Sequence, residues 1–243
     1  MCKFFCIFAS IMAKSLIHNK RRNQIRLHSE GKETLIIATI VVAIVAYVCL
    51  QAVGQTWWTW VITGVVAVVY VILLNFFRCP IRMFQGATTN TIVAPADGRI
   101  VVIEEVDEED YFHDRRKMVS IFMSLTNVHA NWVPCDGEII KVEHQDGNYM
   151  KAYLPKASTE NERSMVVIRT PRGQEVMVRQ VAGALARRIV TYVEEGSTCY
   201  IDDHLGFIKF GSRVDLYLPL DADIQVTMGQ ATTGDETIIA KLK

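Results

Sequence analysis

The sequence predicts a mainly β protein: an antiparallel, sandwich- or barrel-like domain carried behind a two-helix transmembrane hairpin. Three observations predict it. Two apolar runs without a single charge lie close together, at 34–50 and 57–77. From about Thr91 onward, short β-branched runs alternate with Gly, Pro and Asp. No long segment of helical period competes with those runs, apart from a short turn around Ala184–Arg188.

Each apolar run is close to the roughly 20 residues that cross a bilayer as a helix. Lipid offers no hydrogen-bond partners, so such runs are read as spanning helices rather than strands. Gln51–Thr56 is too short for anything but a hairpin connection, and Trp57, Trp58 and Trp60 sit where amphipathic rings favour the interface. A cleaved signal peptide or a single core helix is disfavoured, because a second span follows directly. Lys and Arg crowd residues 1–33, Arg78 and Arg82 follow the second run, and the connection has no charge. The positive-inside rule then puts both ends in the cytoplasm, with the β domain facing the inner leaflet of the cell (inner or plasma) membrane. The expected division is a basic segment at 1–33, a hairpin at 34–78 and a β domain at 91–243.

Lys+Arg and Asp+Glu both total 26, so net charge makes no case for a nucleic-acid partner. The six cysteines are scattered with no C-x-x-C pair, which argues against a zinc site and against a disulfide framework. H-E-x-x-H, clustered Cys/His and Gly-rich nucleotide loops are also absent, so no metal or added nucleotide is expected.

The residues with most chemical promise lie in GFIKFGSRVDLYLP, 206–219. Gly211 allows backbone angles closed to other residues, so Ser212 can be held in a strained turn. Its hydroxyl could attack the Gly211 carbonyl, turn the amide into an ester, and by elimination leave a pyruvoyl group. Taken alone, Gly-Ser between strands is an ordinary turn, just as Asp97-Gly98 is a common turn pair.

Five pieces in order change that weighing: PADGRI (95–100), FMSLTNVHANWVPCDGEI (122–139), PKASTENER (155–163), RQVAGALARRIV (179–190) and GFIKFGSRVDLYLP (206–219). With them the chain from Pro95 to Pro219 resembles the phosphatidylserine decarboxylase family, in its short bacterial and archaeal-type branch. The resemblance implies a pyruvoyl-dependent carboxy-lyase, made as a proenzyme and cut between Gly211 and Ser212 into a β chain (1–211) and an α chain (212–243). It implies a covalent pyruvate made from Ser212 as the cofactor, which forms a Schiff base with the lipid's serine amine and takes up the electron pair as CO2 leaves. Asp97 matches the aspartate of the self-cleavage relay, and His129 the first histidine of the histidine-bearing segment, tied to decarboxylation. A histidine near neutral pKa suits the acid that reprotonates the substrate carbon.

One position departs. Longer members carry a second histidine three residues on, as the base that activates the serine; here it is Trp132. Either His129 serves both steps, or His144 substitutes, or strain and Asp97 suffice, and the first is preferred. Arg187 and Arg188 are candidates for the lipid phosphate, evenly matched by plain surface solvation, and Arg213 shares that ambiguity. His204 is expected in a turn.

The expected partner is a phospholipid in the membrane: phosphatidylserine, giving phosphatidylethanolamine, or an ether lipid with the same serine headgroup. The α and β chains of one precursor stay together, and a homo-oligomer is left open. The rival reading is a membrane-anchored biotinyl/lipoyl-like binding module. It lacks a modifiable lysine at a hairpin tip, since Lys209 sits within a strand run. A metallopeptidase lacks its ligand signature.

Overall fold

The structure is a computed structural model that describes residues 25–51, 56–147, 161–183, 188–209 and 212–243. Gly211, Arg187 and most of the 184–188 turn lie outside those residues.

The chain enters with β1 (Ile25–Leu27) and passes a 3-10 turn capped by His28 into α1 (Lys32–Gln51). It returns through α2 (Trp57–Phe76) into β2 (Arg78–Pro80), which pairs antiparallel with β1. Both helices are long and apolar enough to cross a membrane. They lean on each other, with the Thr39 and Tyr70 hydroxyls 2.8 Å apart, yet Ile36, Ile40, Ile44, Val65, Val68 and Ile72 stay exposed. An apolar surface on all sides is what a lipid-facing helix presents.

The remaining strands are β3 (Thr91–Val93), β4 (Gly98–Glu108), β5 (Asp114–Met123), β6 (Ala130–Trp132), β7 (Gly137–Gln145), β8 (Arg163–Arg169), β9 (Glu175–Ala182) and β10 (Ile189–Thr191). They continue as β11 (Thr198–Cys199), β12 (His204–Ile208), β13 (Ser212–Leu218), β14 (Asp223–Ile224), β15 (Ala231–Thr232) and β16 (Ile238–Lys241). The principal sheet has eight strands in the order β11-β7-β8-β9-β13-β5-β4-β15. Two smaller sheets, β10-β12-β6 and β14-β16-β3, add Ile92, Ile189, Leu205, Ile208, Ile239 and Ala240 to the core of the principal sheet. The fold is mainly β, as the sequence predicts, with the two apolar helices ahead of it.

Side chains alternate between the faces of a strand, and that alternation sorts β13. Val214, Leu216 and Leu218 join Val119, Ile121, Met123, Val166 and Val178 in the main core. Tyr217, one residue out of phase, joins Met118, Met165, Val167 and Met177 on the far face. Ser212 shares parity with the main core and Arg213 with the far face. A third cluster fixes the helices to the β domain: Leu35, Phe76 and Phe77 pack on Val128, Ala130, Trp132 and Phe207.

Candidate active site

Ser212 opens β13 between two neighbours, opposite Met123 of β5 on one side and Ala182 of β9 on the other. It is fully buried, and its hydroxyl donates to the Met123 sulfur at 3.2 Å. A thioether is a weak acceptor, so the hydroxyl is placed without being strongly committed. The same sulfur accepts from Asn131 Nδ2 at 3.7 Å. Behind Asn131 a polar chain runs inward: Gln180 Nε2 donates to Asn131 Oδ1 at 2.7 Å, Thr191 Oγ1 to Gln180 Oε1 at 3.2 Å, and Thr191 and Ser164 hydroxyls meet at 2.7 Å.

His129 immediately precedes β6. Its carbonyl accepts from Ile208 N at 3.3 Å, which ties it to the strand leading towards Ser212. Its Nδ1 lies 3.0 Å from the Asn127 carbonyl. A carbonyl only accepts, so Nδ1 carries the proton and Nε2 keeps the basic lone pair. The ring packs on Phe76, the last residue of α2, with centroids 4.1 Å apart. Burial lowers the His129 pKa to about 4, reinforced by Arg78 and opposed by the Asn127 bond and Asp97. The imidazole is therefore neutral at physiological pH.

Asp97 lies just before β4. A side chain on Gly98 would collide with the Phe122 carbonyl, so glycine lets this strand close on β5. Since β13, β5 and β4 are successive neighbours, Asp97 stands two strand spacings from Ser212, about 10 Å. Its carboxylate takes both Arg82 guanidinium arms, Nη1 to Oδ1 and Nη2 to Oδ2 at 2.9 Å, and Gly234 N donates to Oδ1 at 2.8 Å. The Arg82 guanidinium sits 4.8 Å above the Trp132 ring centre. Trp132 is buried, and its backbone amide donates to the Pro95 carbonyl at 2.9 Å. Arg82 thus occupies the neighbourhood that a second histidine would have served. Sequence reasoning used it only as a flanking charge, because nothing in FFRCPIR signals an inward-turning arginine.

The other candidates lie elsewhere. Arg213 is buried on the far face, with Nε 2.9 Å from Asp215, and lines a cavity of about 520 Å³ together with Arg179 and Tyr217. That is the opposite face from the Ser212 hydroxyl, so a contact between Arg213 and a substrate at Ser212 has no geometric support. Arg188 is exposed, and its carbonyl accepts from Lys209 N at 3.2 Å, which keeps it beside the end of β12. His144 is on β7, three strands from β13, facing Glu162 at 3.4 Å, too far to stand in as the base at Ser212. His204 begins β12 opposite Trp132 rather than lying in a turn; Asp202, at φ 81°, makes the turn. Lys209 sits one residue past β12 and pairs with Glu30 at 3.4 Å.

The chain can also be compared with known proteins. The family model described as phosphatidylserine decarboxylase matches residues 70–240. A phosphatidylserine decarboxylase proenzyme of Phocaeicola vulgatus is 59% identical over 224 residues, covering 92% of this chain and 98% of that protein. Its counterpart in Bacteroides fragilis is 60% identical over 224 residues, and that of Amoebophilus asiaticus 39% over 222. A match of this length and identity shows the family: the chain is a member of the phosphatidylserine decarboxylases.

Proposed function

We propose that this chain is a membrane-anchored proenzyme that cuts itself between Gly211 and Ser212 and then decarboxylates phosphatidylserine to phosphatidylethanolamine. The observation that carries the reading is the packing of His129 on Phe76. It puts the histidine of the five matching pieces at the mouth of an apolar helix, where a lipid headgroup would arrive. The names of the relatives support the same substrate.

The position of Ser212 suits a pyruvoyl group. It is enclosed between β5 and β9, and a pyruvoyl has the same three-carbon skeleton as serine, so conversion demands no new space. That group, once formed, supplies the carbonyl that binds the substrate amine and draws off the electron pair freed with CO2.

The chain's own residues do the rest. His129 Nε2 takes the Ser212 hydroxyl proton, and Oγ attacks the Gly211 carbonyl carbon. The peptide C–N bond breaks as the nitrogen regains a proton, leaving an ester. Removal of the Ser212 Cα proton then expels the Gly211 carboxylate from Cβ, which separates residues 1–211 from 212–243. Water replaces the nitrogen at the new terminus, which departs as ammonia. His129 next holds the proton delivered to the substrate carbon vacated by CO2, a role open to it because the charged imidazole is costly in its buried setting and gives the proton up readily.

Two apolar helices with basic flanks support a bilayer anchor with the β domain on the cytoplasmic side. An ether lipid with a serine headgroup would meet the same chemistry.

The test is conversion of phosphatidylserine in mixed micelles by the purified chain, followed as CO2 and phosphatidylethanolamine. Activity should vanish in Ser212→Ala and after treatment with hydroxylamine, which captures ketones. Decarboxylation by Ser212→Ala would refute the proposal.

A further inference from the structure

In a cavity that Trp132 and Arg82 also line, three metal-binding side chains converge from three separate stretches of chain. His28 caps the turn before α1, Cys79 is the middle residue of β2, and His204 begins β12. One ligand atom from each lies within 4.8 Å of the others. Cys79 Sγ and His204 Nε2 are 3.8 Å apart. Zinc bonds of about 2.3 Å to sulfur and about 2.0–2.1 Å to nitrogen, set at a tetrahedral angle, require about 3.6 Å along that edge. The pair is already at coordinating separation.

The fold holds these donors in place by other means. Cys79 is paired opposite Arg26 in the β1–β2 ribbon, and the His28 backbone N–H bonds to the Phe77 carbonyl at 2.8 Å. The His28 ring stacks on Phe207 with centroids 4.4 Å apart, and His204 is fixed opposite Trp132 by the β12–β6 ladder. All three line an open cavity of about 550 Å³, which leaves a fourth position on the solvent side.

We infer that His28, Cys79 and His204 form a site for a zinc-class divalent ion, with water as the fourth ligand. Two imidazoles and a thiolate suit a borderline-soft cation and reject calcium and magnesium, which want oxygen. On binding, the Cys79 thiol releases its proton to solvent as the metal–sulfur bond forms. His28 also gives up the 3.2 Å bond that its Nδ1 accepts from Glu30 N, one cap bond exchanged for a coordinate bond. The bound ion bolts the ribbon at the foot of both apolar helices to strand β12 of the β domain. The positions 28, 79 and 204 are too far apart in sequence for any motif to show them; only the fold brings them together. The inference is independent of the chemistry at Ser212.

The experiment uses the full chain in detergent, stripped with chelator and titrated with Co²⁺ alone. One equivalent should bring up tetrahedral ligand-field bands in the visible and a thiolate-to-cobalt charge-transfer band in the near ultraviolet. Zn²⁺ should erase both and raise the melting temperature. Cys79→Ser should remove the charge-transfer band, and His204→Gln should weaken cobalt binding about tenfold or more, while Cys199→Ser leaves the spectrum unchanged. If Cys79→Ser loses its near-ultraviolet dichroism and so its fold, His204→Gln decides alone: weakened binding supports the site and unchanged binding overturns it. A spectrum with no saturable thiolate band, or one untouched by Cys79→Ser in a folded chain, also overturns it.

Discussion

Arg82 grips both carboxylate oxygens of Asp97. The side chains of this ion pair are each only 11% exposed, and the guanidinium rests on the Trp132 ring. The arginine balances the charge of this carboxylate, which still pulls the His129 pKa up against the burial that lowers it. The tryptophan at position 132 and the arginine at 82 are then two halves of one arrangement: the ring gives the cation a face to lie on, and the cation neutralises the buried acid.

Removing one partner of such a pair strands the other charge. Arg82→Met should destabilise the chain by about 3–5 kcal/mol. Asp97→Asn added to Arg82→Met should recover much of that loss, since no buried charge is then left alone. Denaturant unfolding of the wild type, both single variants and the double variant measures the coupling. Strictly additive losses would mean that the contact seen here contributes nothing.

His129 makes a signed prediction about pH. Its pKa is lowered by burial to about 4 from the usual 6.5, with Arg78 pushing the same way and the Asn127 carbonyl and Asp97 resisting. The unfolded chain therefore binds a proton between those values and the folded chain does not, so stability is lost as pH falls from 6.5 towards 4. The share due to His129 is about 3 kcal/mol, and His129→Gln should flatten the curve by that amount. In the metal-free chain His28, also lowered to about 4 by burial and by His204, adds a slope of the same sign that the variant keeps. As the base for self-cleavage, the neutral imidazole should sustain the rate down to about pH 5, and His129→Ala should slow cleavage about 10²–10⁴-fold. A cleavage rate that halves near pH 6.5 would contradict the buried, neutral histidine.

Asp235 should act in the opposite sense. It is fully buried, and burial together with the neighbouring Asp202 raises its pKa to about 8. The folded state holds that proton where the unfolded state has lost it, so the stability it confers is full below about 4 and is lost as pH rises to about 8. Asp235→Asn, which cannot ionise, should melt higher than the wild type at pH 8 and about level with it at pH 4. Equal melting temperatures at pH 8 would show that the carboxyl is ionised without penalty.

Much of this architecture can be read from the residues themselves. The uncharged runs at 34–50 and 57–77 become α1 (Lys32–Gln51) and α2 (Trp57–Phe76), and the β-branched runs become strands, because burial on one or both faces leaves a strong local signature. The motifs that carry Ser212 and His129 stand out in the sequence, and the fold pairs them through β12 and β6. The pairing of Arg82 with Asp97, 15 positions away, leaves no periodic pattern in the sequence to show it. Arg213 misled for a related reason: beside Ser212 in sequence, it points to the other face of the same strand. His204 was expected in a turn because two aspartates precede it, yet the turn ends at Asp203 and the strand begins one residue later.

The central claim is that the bond before Ser212 opens and that the serine becomes a ketone. Intact-mass spectrometry of the purified chain tests it most directly. The account predicts two fragments, 1–211 and 212–243, the smaller lighter by one ammonia than the encoded sequence, refractory to N-terminal sequencing and reactive towards a hydrazide. A single species near 27.5 kDa, with an unaltered serine at position 212, would contradict it.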